Sequence, residues 1–361
     1  MNKDIIFYMP NIERGGIEKN LNYLTDFFYK KKINIKLVTH NYNKKSIKNI
    51  LNKIEIFGKN KFNFKNRYIA SFASLKTLIK LLLKKKNIKY IFSFQSHPIA
   101  IFVSILFRKK CIIRIANHPV SSLKYYEGKL SIIFKLLIKK FFYKFPYKII
   151  CNSNASKNYI KKINKKTVCI YNPIKLKKIM PKLNKKRNGT LLFVGRLDKQ
   201  KNVIGILKMM KILKDKKIRN KLIIIGDGPE KKRILEFIKN NNLEKNVILK
   251  GYINPNKFYK SSSVLILNSL FEGMPNVLLE GLYYQIPIVS SDCQSGPNEI
   301  LNNQKYGYLY PVNDYKKLTE KVIFVLSNQA KALKKSKLGY LSLSRFSYEK
   351  QCEKYLKLFN F

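Results

Sequence analysis

The chain carries two successive series of short apolar segments, and the opening segment of each series leads directly into a glycine-containing loop. The first begins with DIIFYM and NIERGG, then a helical segment from residue 17 to about 28 and the apolar runs INIKLVTH, YIFSF, CIIRIA and KIICNS. The second begins with TLLFVGR and continues through LIIIG, NVILKG, SVLILN and IPIVSS. Short apolar runs that alternate with helices are typical of buried parallel strands. The pattern therefore predicts two α/β domains with parallel sheets.

The stretch between the two series is the best candidate for a domain boundary. A chain of 361 residues exceeds the usual size of one domain. The segment KLKKIMPKLNKKRNG, which ends at Gly189, is rich in Lys, Pro and Asn and has no clear periodicity. We therefore predict a first domain over residues 1–172, a linker over 173–189, a second domain over 190–342, and a C-terminal helix over 343–361.

The C-terminal helix has an apolar side of its own. From about Ser344 onward, Tyr348, Cys352, Tyr355 and Leu356 recur at helical spacing. A helix with an apolar stripe needs a surface on which to bury it. We expect this helix to cross back onto the first domain.

Composition limits the compartment and the partners. The chain has 74 Lys and Arg against 20 Asp and Glu, a formal net charge of +54. The codon bias of an AT-rich genome and an attraction to phosphorylated ligands, nucleic acid or an anionic membrane both account for this excess. The 5 Cys show no CxxC spacing, which predicts a reducing, cytoplasmic compartment. The chain shows no secretory signal and no apolar run of about 20 residues, so we predict a soluble or membrane-peripheral protein.

Two segments of the first domain mix lysines with bulky apolar residues at helical intervals. They are SLKTLIKLLLKKKNIKYIF and GKLSIIFKLLIKKFFYKF. Each is consistent with a helix packed on the sheet with its lysines in solvent, or with a helix lying on an anionic membrane surface. The second, residues 129–145, is the better membrane candidate because its FFYKF cluster has no obvious polar face.

Two of the few acidic residues flank the segment FEGMPNVLLE in the second series. A strand ends near Asn268, and Pro275 fits the first position of a helix that runs to about Tyr284. This places Glu272 in the loop and Glu280 in the second helical turn. Amides at the helix N-terminus suit a phosphate, and the two carboxylates can accept hydrogen bonds from hydroxyls on either side of it. A nucleoside diphosphate sugar has that layout; the alternative is that both carboxylates merely complement the helix N-terminus.

Basic and glycine-rich segments accompany these carboxylates. Arg196 and Lys201 follow the first strand of the second domain, in VGRLDKQKN, and can pair with a diphosphate. The segment IIIGDGPEK brings Gly226, Asp227 and Gly228 to another strand-to-helix turn. It lacks the third glycine of the GxGxxG fingerprint, which disfavours a dehydrogenase.

With these motifs in order, the chain resembles glycosyltransferase family 4, whose members are retaining enzymes of the GT-B fold. The matching features are GGIE, the VGRL…K loop, IIGDGP, the GY after NVILK, EGMPNVLLE and DCQSGPNEIL. Their order agrees over nearly the whole chain and most strongly over residues 191–301. The SGPNEIL segment is similar to bacterial members that extend polyprenyl-diphosphate-linked glycans. The resemblance implies two Rossmann-like α/β domains with parallel sheets facing across a cleft.

The resemblance also implies roles for individual residues. Arg196 and Lys201 correspond to the basic pair that binds the donor diphosphate and stabilises the departing nucleotide. Glu272 corresponds to the glutamate that faces the donor hexose, Glu280 to the one that accepts from the ribose, and His118 to a catalytic histidine beside the sugar. The other implied donor-binding residues are Gly15, Gly16, Gly226, Asp227, Gly228, Tyr252, Gly273, Met274, Pro275, Asn276 and Val277.

A few positions complete or depart from this pattern. Asn117 and His97 are further candidates near the sugar. The glycine that commonly follows the lysine of the diphosphate loop is Asn202 in this chain. No DxD pair occurs in the sequence, which favours a metal-independent site that needs no cofactor.

The reaction implied is transfer of a hexose or N-acetylhexosamine from a nucleoside diphosphate sugar, most simply a UDP-sugar, to a lipid-linked saccharide. Such an enzyme serves bacterial surface polysaccharide or glycoconjugate synthesis, as in lipopolysaccharide or capsule, as a peripheral protein at the anionic inner face of the plasma membrane. The first domain then binds the acceptor and faces the membrane, and the second binds the sugar nucleotide. The alternatives are a GT-B sugar-nucleotide epimerase and a basic nucleic-acid-binding protein. No nucleic-acid-binding motif is visible, so no nucleic-acid partner is expected.

Overall fold

The structure of the protein is a computed structural model with two compact units. It describes residues 4–12, 15–42, 47–58, 67–124, 128–176, 187 and 189–360. Unit 1 comprises Met1–Pro173 together with Tyr348–Phe361, and unit 2 comprises Ile174–Ser347. Most of the predicted linker, 173–189, lies outside the described residues.

Unit 1 is built on a parallel sheet of seven strands. Its nine described strands, in chain order, are β1 (Asp4–Tyr8), β2 (Asn11–Ile12), β3 (Asn34–Val38), β4 (Asn41–Tyr42), β5 (Glu55–Phe57), β6 (Tyr90–Ser93), β7 (Lys110–Ile115), β8 (Lys148–Cys151) and β9 (Thr167–Cys169). The large sheet has the order β5-β3-β1-β6-β7-β8-β9, and β2 pairs with β4 beside it. The apolar runs of the first series form the central strands.

Helices cover both faces of this sheet. The described helices are α1 (Gly16–Lys30), α2 (Arg67–Lys84), α3 (His97–Leu106), α4 (Ser121–Lys124), α5 (Lys129–Phe142) and α6 (Asn154–Lys161), with a 3-10 helix over Lys48–Lys53. Buried side chains of α1 pack on one face and those of α2 and α3 on the other. Each face of the sheet therefore has a hydrophobic core of its own.

The C-terminal helix, Tyr348–Leu356, belongs to unit 1. Its apolar side is the predicted one: Tyr348, Cys352 and Tyr355 are buried, and Leu356 packs half-buried against the same core. That core is the one that α1 covers. The helix thus buries its apolar stripe on the first α/β unit.

One continuous helix from about 344 to 361 was the wrong prediction. A 3-10 helix over Ser342–Phe346 comes first, and Ser347 is extended, with a ψ of 144°, before the C-terminal helix begins. The carbonyl of Phe346 accepts a hydrogen bond from the Ile174 amide at 2.9 Å. This pairing holds the backbone outside the helical ladder, so the helix is interrupted.

Unit 2 repeats the architecture with six parallel strands. Its strands are β10 (Leu191–Val194), β11 (Leu222–Ile225), β12 (Val247–Leu249), β13 (Val264–Leu267), β14 (Ile288–Ser291) and β15 (Tyr308–Tyr310). Its helices are α7 (Val203–Asp215), α8 (Lys231–Asn240), α9 (Asn256–Ser261), α10 (Asn276–Tyr283), α11 (Pro297–Leu301), α12 (Tyr315–Ser327) and α13 (Gln329–Leu341), with a 3-10 helix over Lys199–Lys201. The strand order is β12-β11-β10-β13-β14-β15. The prediction of two α/β domains with parallel sheets is confirmed.

An arginine secures the ends of two helices in unit 2. The guanidinium of Arg187 donates to the carbonyls of Tyr259 and Ser262 at 3.1 and 2.5 Å, at the end of α9. It also donates to the carbonyls of Tyr284 and Gln285 at 3.2 and 3.0 Å, just after α10. These are the carbonyls that a helix terminus leaves without an intrahelical partner. Burial lowers the pKa of Arg187 to about 10, so the group stays protonated at neutral pH.

Arg345 anchors a third helix in the same way. It donates to the carbonyls of Glu299 and Ile300 in α11 at 3.0 and 2.5 Å, and its guanidinium lies 4.4 Å from the ring centroid of Phe346. Backbone oxygens thus take the place of carboxylates as partners for both arginines.

No helix in the part of the chain that the structure describes combines the length and the apolar character that crossing a bilayer requires.

Candidate functional site

The loop between β13 and α10 holds Glu272 beside the carboxyl end of a parallel strand. Glu272 is only 6% exposed, and the Nζ atom of Lys201 lies 2.5 Å from its Oε1 atom. The hydroxyl of Ser269 donates to the same oxygen at 2.6 Å. Among the described residues no hydrogen bond reaches Oε2 of Glu272. One carboxylate oxygen is thus fixed by the protein, and the other has the chemistry to accept a hydrogen bond from a hydroxyl.

Asp198 organises the two basic residues. Its carboxylate accepts from Arg196 Nε at 2.7 Å and from the Lys201 amide at 3.1 Å, where it caps the 3-10 helix. The side chain of Arg196 is 49% exposed, while that of Lys201 is 16% exposed. The pair therefore offers one solvent-facing cation and one sheltered cation at the end of β10. Sequence reasoning missed Asp198, although its place between the two cations was a signal.

Asn202 occupies a left-handed backbone position, with φ 45° and ψ 52°. Glycine adopts this conformation without strain, and asparagine tolerates it better than most residues. The departure from the family pattern at this position therefore keeps the same turn. Asn268 Nδ2 donates to the Asn202 carbonyl at 2.7 Å, which joins this turn to the end of β13.

Buried polar groups at and just after the end of β14 hydrogen-bond to the loop between β13 and α10. We call this loop, which carries Glu272, the glutamate loop. The Ser291 hydroxyl and the Cys293 thiol both donate to the Ser269 carbonyl, at 2.7 and 3.1 Å. Burial, reinforced by the nearby charge of Glu272, raises the pKa of the Cys293 thiol to about 12. Cys293 therefore stays a neutral donor. These supporting residues were missed; the only signal was their place at the end of an apolar strand, Ser291 as the last residue of β14 and Cys293 two residues later.

Two glycines of IIGDGP allow the backbone of the Arg196 loop to approach. Gly226 and Gly228 have φ values of 148° and 158°, and a Cβ atom on them would collide with the carbonyls of Gly195 and Leu197. The Leu197 amide donates to the Asp227 carbonyl at 2.9 Å across this contact. The motif thus braces the loop that carries Arg196 and Lys201 through its backbone, while the Asp227 side chain is 59% exposed.

The SGPNEIL segment braces the glutamate loop in a comparable way. Gly296 has a φ of 93°, and a Cβ atom there would meet the Gly273 carbonyl and Pro275 Cδ. The Ser295 hydroxyl donates to the carbonyls of Glu272 and Gly273 at 2.8 and 3.3 Å. This motif therefore fixes the backbone that carries Glu272.

The helix that follows the glutamate loop begins one residue later than predicted. It runs over Asn276–Tyr283, and Pro275 is its N-cap with φ −71° and ψ 108°. The extended ψ keeps Pro275 out of the helix. Met274 and Pro275 are buried, and Asn276 and Val277 are half-buried. The first turn presents its amides and the positive end of the helix dipole at the end of β13.

Glu280 lies in the second turn, as predicted, and has a buried partner that the sequence did not reveal. The Tyr259 hydroxyl donates to Glu280 Oε2 at 2.9 Å. Burial, and then the negative charge of Glu280, raises the pKa of Tyr259 well above its usual range. Its ring stacks on Tyr284, with centroids 5.3 Å apart and planes at 10°. Tyr259 therefore holds the Glu280 carboxylate in one orientation.

Tyr252 lies on a loop joined to the same end of the sheet. The Gly226 amide donates to the Gly251 carbonyl at 2.8 Å, directly before Tyr252. The Tyr252 side chain is exposed. The unit 2 candidates thus follow the carboxyl ends of strands β10, β11, β12 and β13.

The remaining candidates lie in unit 1. Gly15 and Gly16 are exposed at the start of α1, where Gly15 is extended with φ 171°. His118 is buried, its Nδ1 atom lies 3.1 Å from the Ser121 hydroxyl, and its ring centroid lies 5.4 Å from that of Tyr159. The catalytic role of His118 stays a prediction.

His97 behaves as a structural residue, and Asn117 is half-buried after β7. The His97 Nδ1 atom lies 2.9 Å from the Ser93 hydroxyl, and its ring packs against Tyr143. Desolvation and the positive charge of Lys139 lower the pKa of His97 to about 4, so it is neutral at pH 7. Within the described ranges, no group of three or more His, Cys, Asp or Glu is placed to hold a metal ion; metal independence stays a prediction.

Comparison with known sequences covers both units. The profile of Glycosyltransferase Family 4 matches residues 14–178, and that of Glycosyl transferases group 1 matches residues 176–342. An uncharacterised glycosyltransferase of Methanocaldococcus jannaschii is 35% identical over 207 residues, which are 53% of this chain and 50% of that protein. A Campylobacter jejuni α-1,4-N-acetyl-D-galactosaminyltransferase, named for a PP-undecaprenol-linked glycan, is 26% identical over 90% of this chain and 89% of its own length. The chain spans about half the length of several other curated relatives.

Solved structures agree on the architecture. Anabaena HepE in complex with UDP and glucose superposes with a TM-score of 0.79 at 15% identity, over 98% of both chains. At that identity the likeness concerns the fold, and it confirms the predicted GT-B class. The two profiles together span residues 14–342, and with the motifs in register they identify the chain as a member of glycosyltransferase family 4.

Proposed function

We propose that the protein is a retaining glycosyltransferase that moves a hexose or N-acetylhexosamine from a UDP-sugar to a lipid-linked saccharide in bacterial surface glycan synthesis. The observation that carries this proposal is the cluster at the ends of β10 and β13. There Glu272, sheltered and bonded through one oxygen, lies against Lys201 with Arg196 nearby in the same loop. An anionic, hydroxyl-rich ligand matches this combination of groups.

The cations and the helix terminus suit the diphosphate of the donor. Arg196 provides a planar guanidinium, Lys201 a compact ammonium, and α10 the positive end of its dipole. Negative charge grows on the departing nucleotide as the glycosidic bond breaks. Groups already fixed in position stabilise that charge without reorganising, which is the main way in which such a site accelerates transfer.

The two carboxylates suit the hydroxyls at either end of the donor. Glu272 offers Oε2 to the hexose, and Glu280, oriented by Tyr259, accepts from the ribose. The ion pair with Lys201 makes Glu272 a poor covalent nucleophile because the ammonium stabilises the carboxylate charge. Glu272 therefore serves to position the sugar.

The lipid-linked acceptor is supported by the relatives. The names of two Campylobacter jejuni relatives describe transfer to undecaprenol diphosphate-linked saccharides. One is the relative described above, and the other is 35% identical over 154 residues. An acceptor of that kind is anchored in a membrane by its lipid, so the enzyme would meet it at a membrane surface. Placement at the inner face of the plasma membrane is part of this proposal.

A product screen tests the proposal. Purified protein is incubated with UDP-, GDP- or ADP-sugars, each with and without a polyprenyl-diphosphate saccharide. We expect the lipid-linked product to gain one sugar with retained anomeric configuration, and only when both substrates are present. An altered sugar from a UDP-sugar alone would instead identify an epimerase, and the absence of transfer with every donor would contradict the proposal.

A further inference from the structure

The outward side of α5 is apolar. Its exposed large side chains are Leu130 at 85%, Ile133 at 55%, Phe134 at 65%, Leu137 at 59% and Phe141 at 57%. At about 100° per residue these five positions fall within an arc of roughly 100° on the helix surface. An ordinary surface helix turns its apolar arc toward the core, whereas this arc of α5 faces away from it.

Side chains on the inward side of α5 show that the helix is nonetheless part of unit 1. Leu136 and Lys139 are half-buried, and Lys139 Nζ reaches the Pro119 carbonyl at 3.4 Å. Tyr143, just after the helix, is buried in the core that α2 and α3 cover. The outward apolar arc is therefore surplus to what the packing of α5 requires.

The apolar surface continues onto α3, which contacts α5. Phe102, Ile105 and Leu106 of α3 are 55%, 52% and 61% exposed. Phe145 is also exposed, and its ring centroid lies 5.3 Å from that of Phe141. We call these residues together the outer apolar face: Phe102, Ile105, Leu106, Leu130, Ile133, Phe134, Leu137, Phe141 and Phe145. An exposed cluster of this size marks an interaction surface.

Lysines lie beside this face, and acidic residues are scarce in the sequence around it. Lys140 and Lys144 are exposed next to the arc of α5. In the sequence, Glu127 is the one acidic residue between Glu55 and Asp198. A surface of bulky apolar residues with a lysine rim matches an anionic lipid surface.

We propose that the outer apolar face docks unit 1 onto an anionic bilayer, with α5 lying in the interface. A second copy of this chain is a poor occupant, because a symmetric dimer would bring the lysine rims of both copies together without carboxylates between them. The docking gives the proposed membrane-linked acceptor its physical setting. It is tested without donor or acceptor, so that its failure and the failure of the proposed function are distinct.

The sequence provides a clean spectroscopic test, because the chain contains no Trp. Phe134→Trp places a single reporter on the face, and Leu341→Trp places one at a 71% exposed site of unit 2. With vesicles of phosphatidylcholine and phosphatidylglycerol, we expect F134W emission to shift to the blue and to be quenched by lipids brominated in their chains. L341W should show neither effect. Unshifted F134W emission on vesicle-bound protein would overturn the proposal.

Vesicle sedimentation tests the energetic contribution. We expect Phe134→Ser/Leu137→Ser to lower the partition coefficient on anionic vesicles by about tenfold or more, since two large apolar groups no longer enter the lipid. The matched control, Leu235→Ser/Leu341→Ser, removes similarly exposed groups from unit 2 and should bind as wild type. Binding should weaken with added salt and on neutral vesicles. Equal binding of both double variants, or a dimer that F134S/L137S dissociates, would contradict the proposal.

Discussion

Units 1 and 2 share one architecture and use their surfaces differently. Both have a parallel sheet sandwiched between helices, yet among the described residues thirteen exposed large hydrophobic side chains belong to unit 1 and seven to unit 2. In unit 2 the polar groups converge on the carboxyl ends of the strands, where serines, an aspartate and glycines fix Glu272, Lys201 and Arg196. The comparison teaches that one fold can gather polar and charged groups at strand ends in one unit and expose an apolar helical face in the other.

The largest expected effect should separate the catalysis proposed for unit 2 from the membrane docking proposed for unit 1. Glu272→Gln removes the charge that pairs with Lys201 and weakens the acceptor for the donor hydroxyl. We expect turnover to fall by about a hundredfold to a thousandfold, the size seen when one fixed electrostatic group is lost from a site. Steady-state rates with the donor found in the product screen measure it. Vesicle binding of this variant should remain unchanged.

Arg196→Ala should lower turnover to a similar extent, because the solvent-facing cation of the pair is lost.

Glu320→Gln is the matched control for Glu272→Gln. Glu320 is an acidic residue of unit 2 with 60% side-chain exposure, and among the described contacts it pairs only with Lys317. It should keep the wild-type rate. If E272Q and E320Q turn over equally, the strand ends of unit 2 are not the reactive site.

The half-buried His97 of unit 1 should make the stability of the protein depend on pH. Because desolvation lowers the pKa of His97 to about 4, the unfolded chain binds a proton between pH 6.5 and 4 while the folded chain does not. The free energy of unfolding should therefore fall as the pH drops through this window, by up to about 3 kcal/mol. Urea unfolding of wild type and His97→Gln between pH 7 and pH 4 measures it. Parallel pH profiles for the two proteins would refute the assignment.

A smaller effect probes the orientation of Glu280. Tyr259→Phe removes the hydroxyl that donates to Glu280 and keeps the stacked ring. One hydrogen bond contributes about 1 kcal/mol, so we expect KM for the donor to rise by about fivefold to tenfold with kcat nearly unchanged. Tyr308→Phe is the control, since its buried hydroxyl has no partner among the described residues. An unchanged KM for Y259F would leave Tyr259 with a packing role alone.

The smallest effect concerns the turn at Asn202. Asn202→Ala should cost about 1 kcal/mol of stability, because alanine is strained at a φ of 45°, whereas Asn202→Gly should lie within about 0.5 kcal/mol of wild type. Thermal unfolding of the two variants compares them. Equal stability of both would show that the left-handed turn does not constrain this position.

The sequence sufficed for the central strands and for the edge strand β12, and it missed the other edge strands of the two large sheets. The apolar runs of both series became strands because continuous burial on both faces leaves a clear pattern. The edge strands β5, β9 and β15 read EIF, TVC and YLY and lack the continuous aliphatic run, VIL, that made the equally short β12 visible. The C-terminal helix was predicted too long because the bond between Ile174 and Phe346 joins residues far apart in sequence.

The same limit applies to the candidate site. Arg196, Lys201 and Glu272 were found because each is charged and follows a strand. Ser269 could be placed against Glu272 only through local geometry, and Tyr259 against Glu280 only once the helix packing was known. Neighbouring strands β10 and β13 bring together loops that lie 71 residues apart. Sequence spacing alone does not contain that adjacency.

The arginines that bind helix-end carbonyls have a consequence for how this chain can evolve. Arg187 and Arg345 are held by main-chain oxygens of six residues, and every amino acid supplies that oxygen. Substitutions at the six acceptor positions leave these anchors in place. A lineage in which lysine is favoured over acidic residues can therefore lose carboxylates over much of its surface and still keep these helix ends anchored.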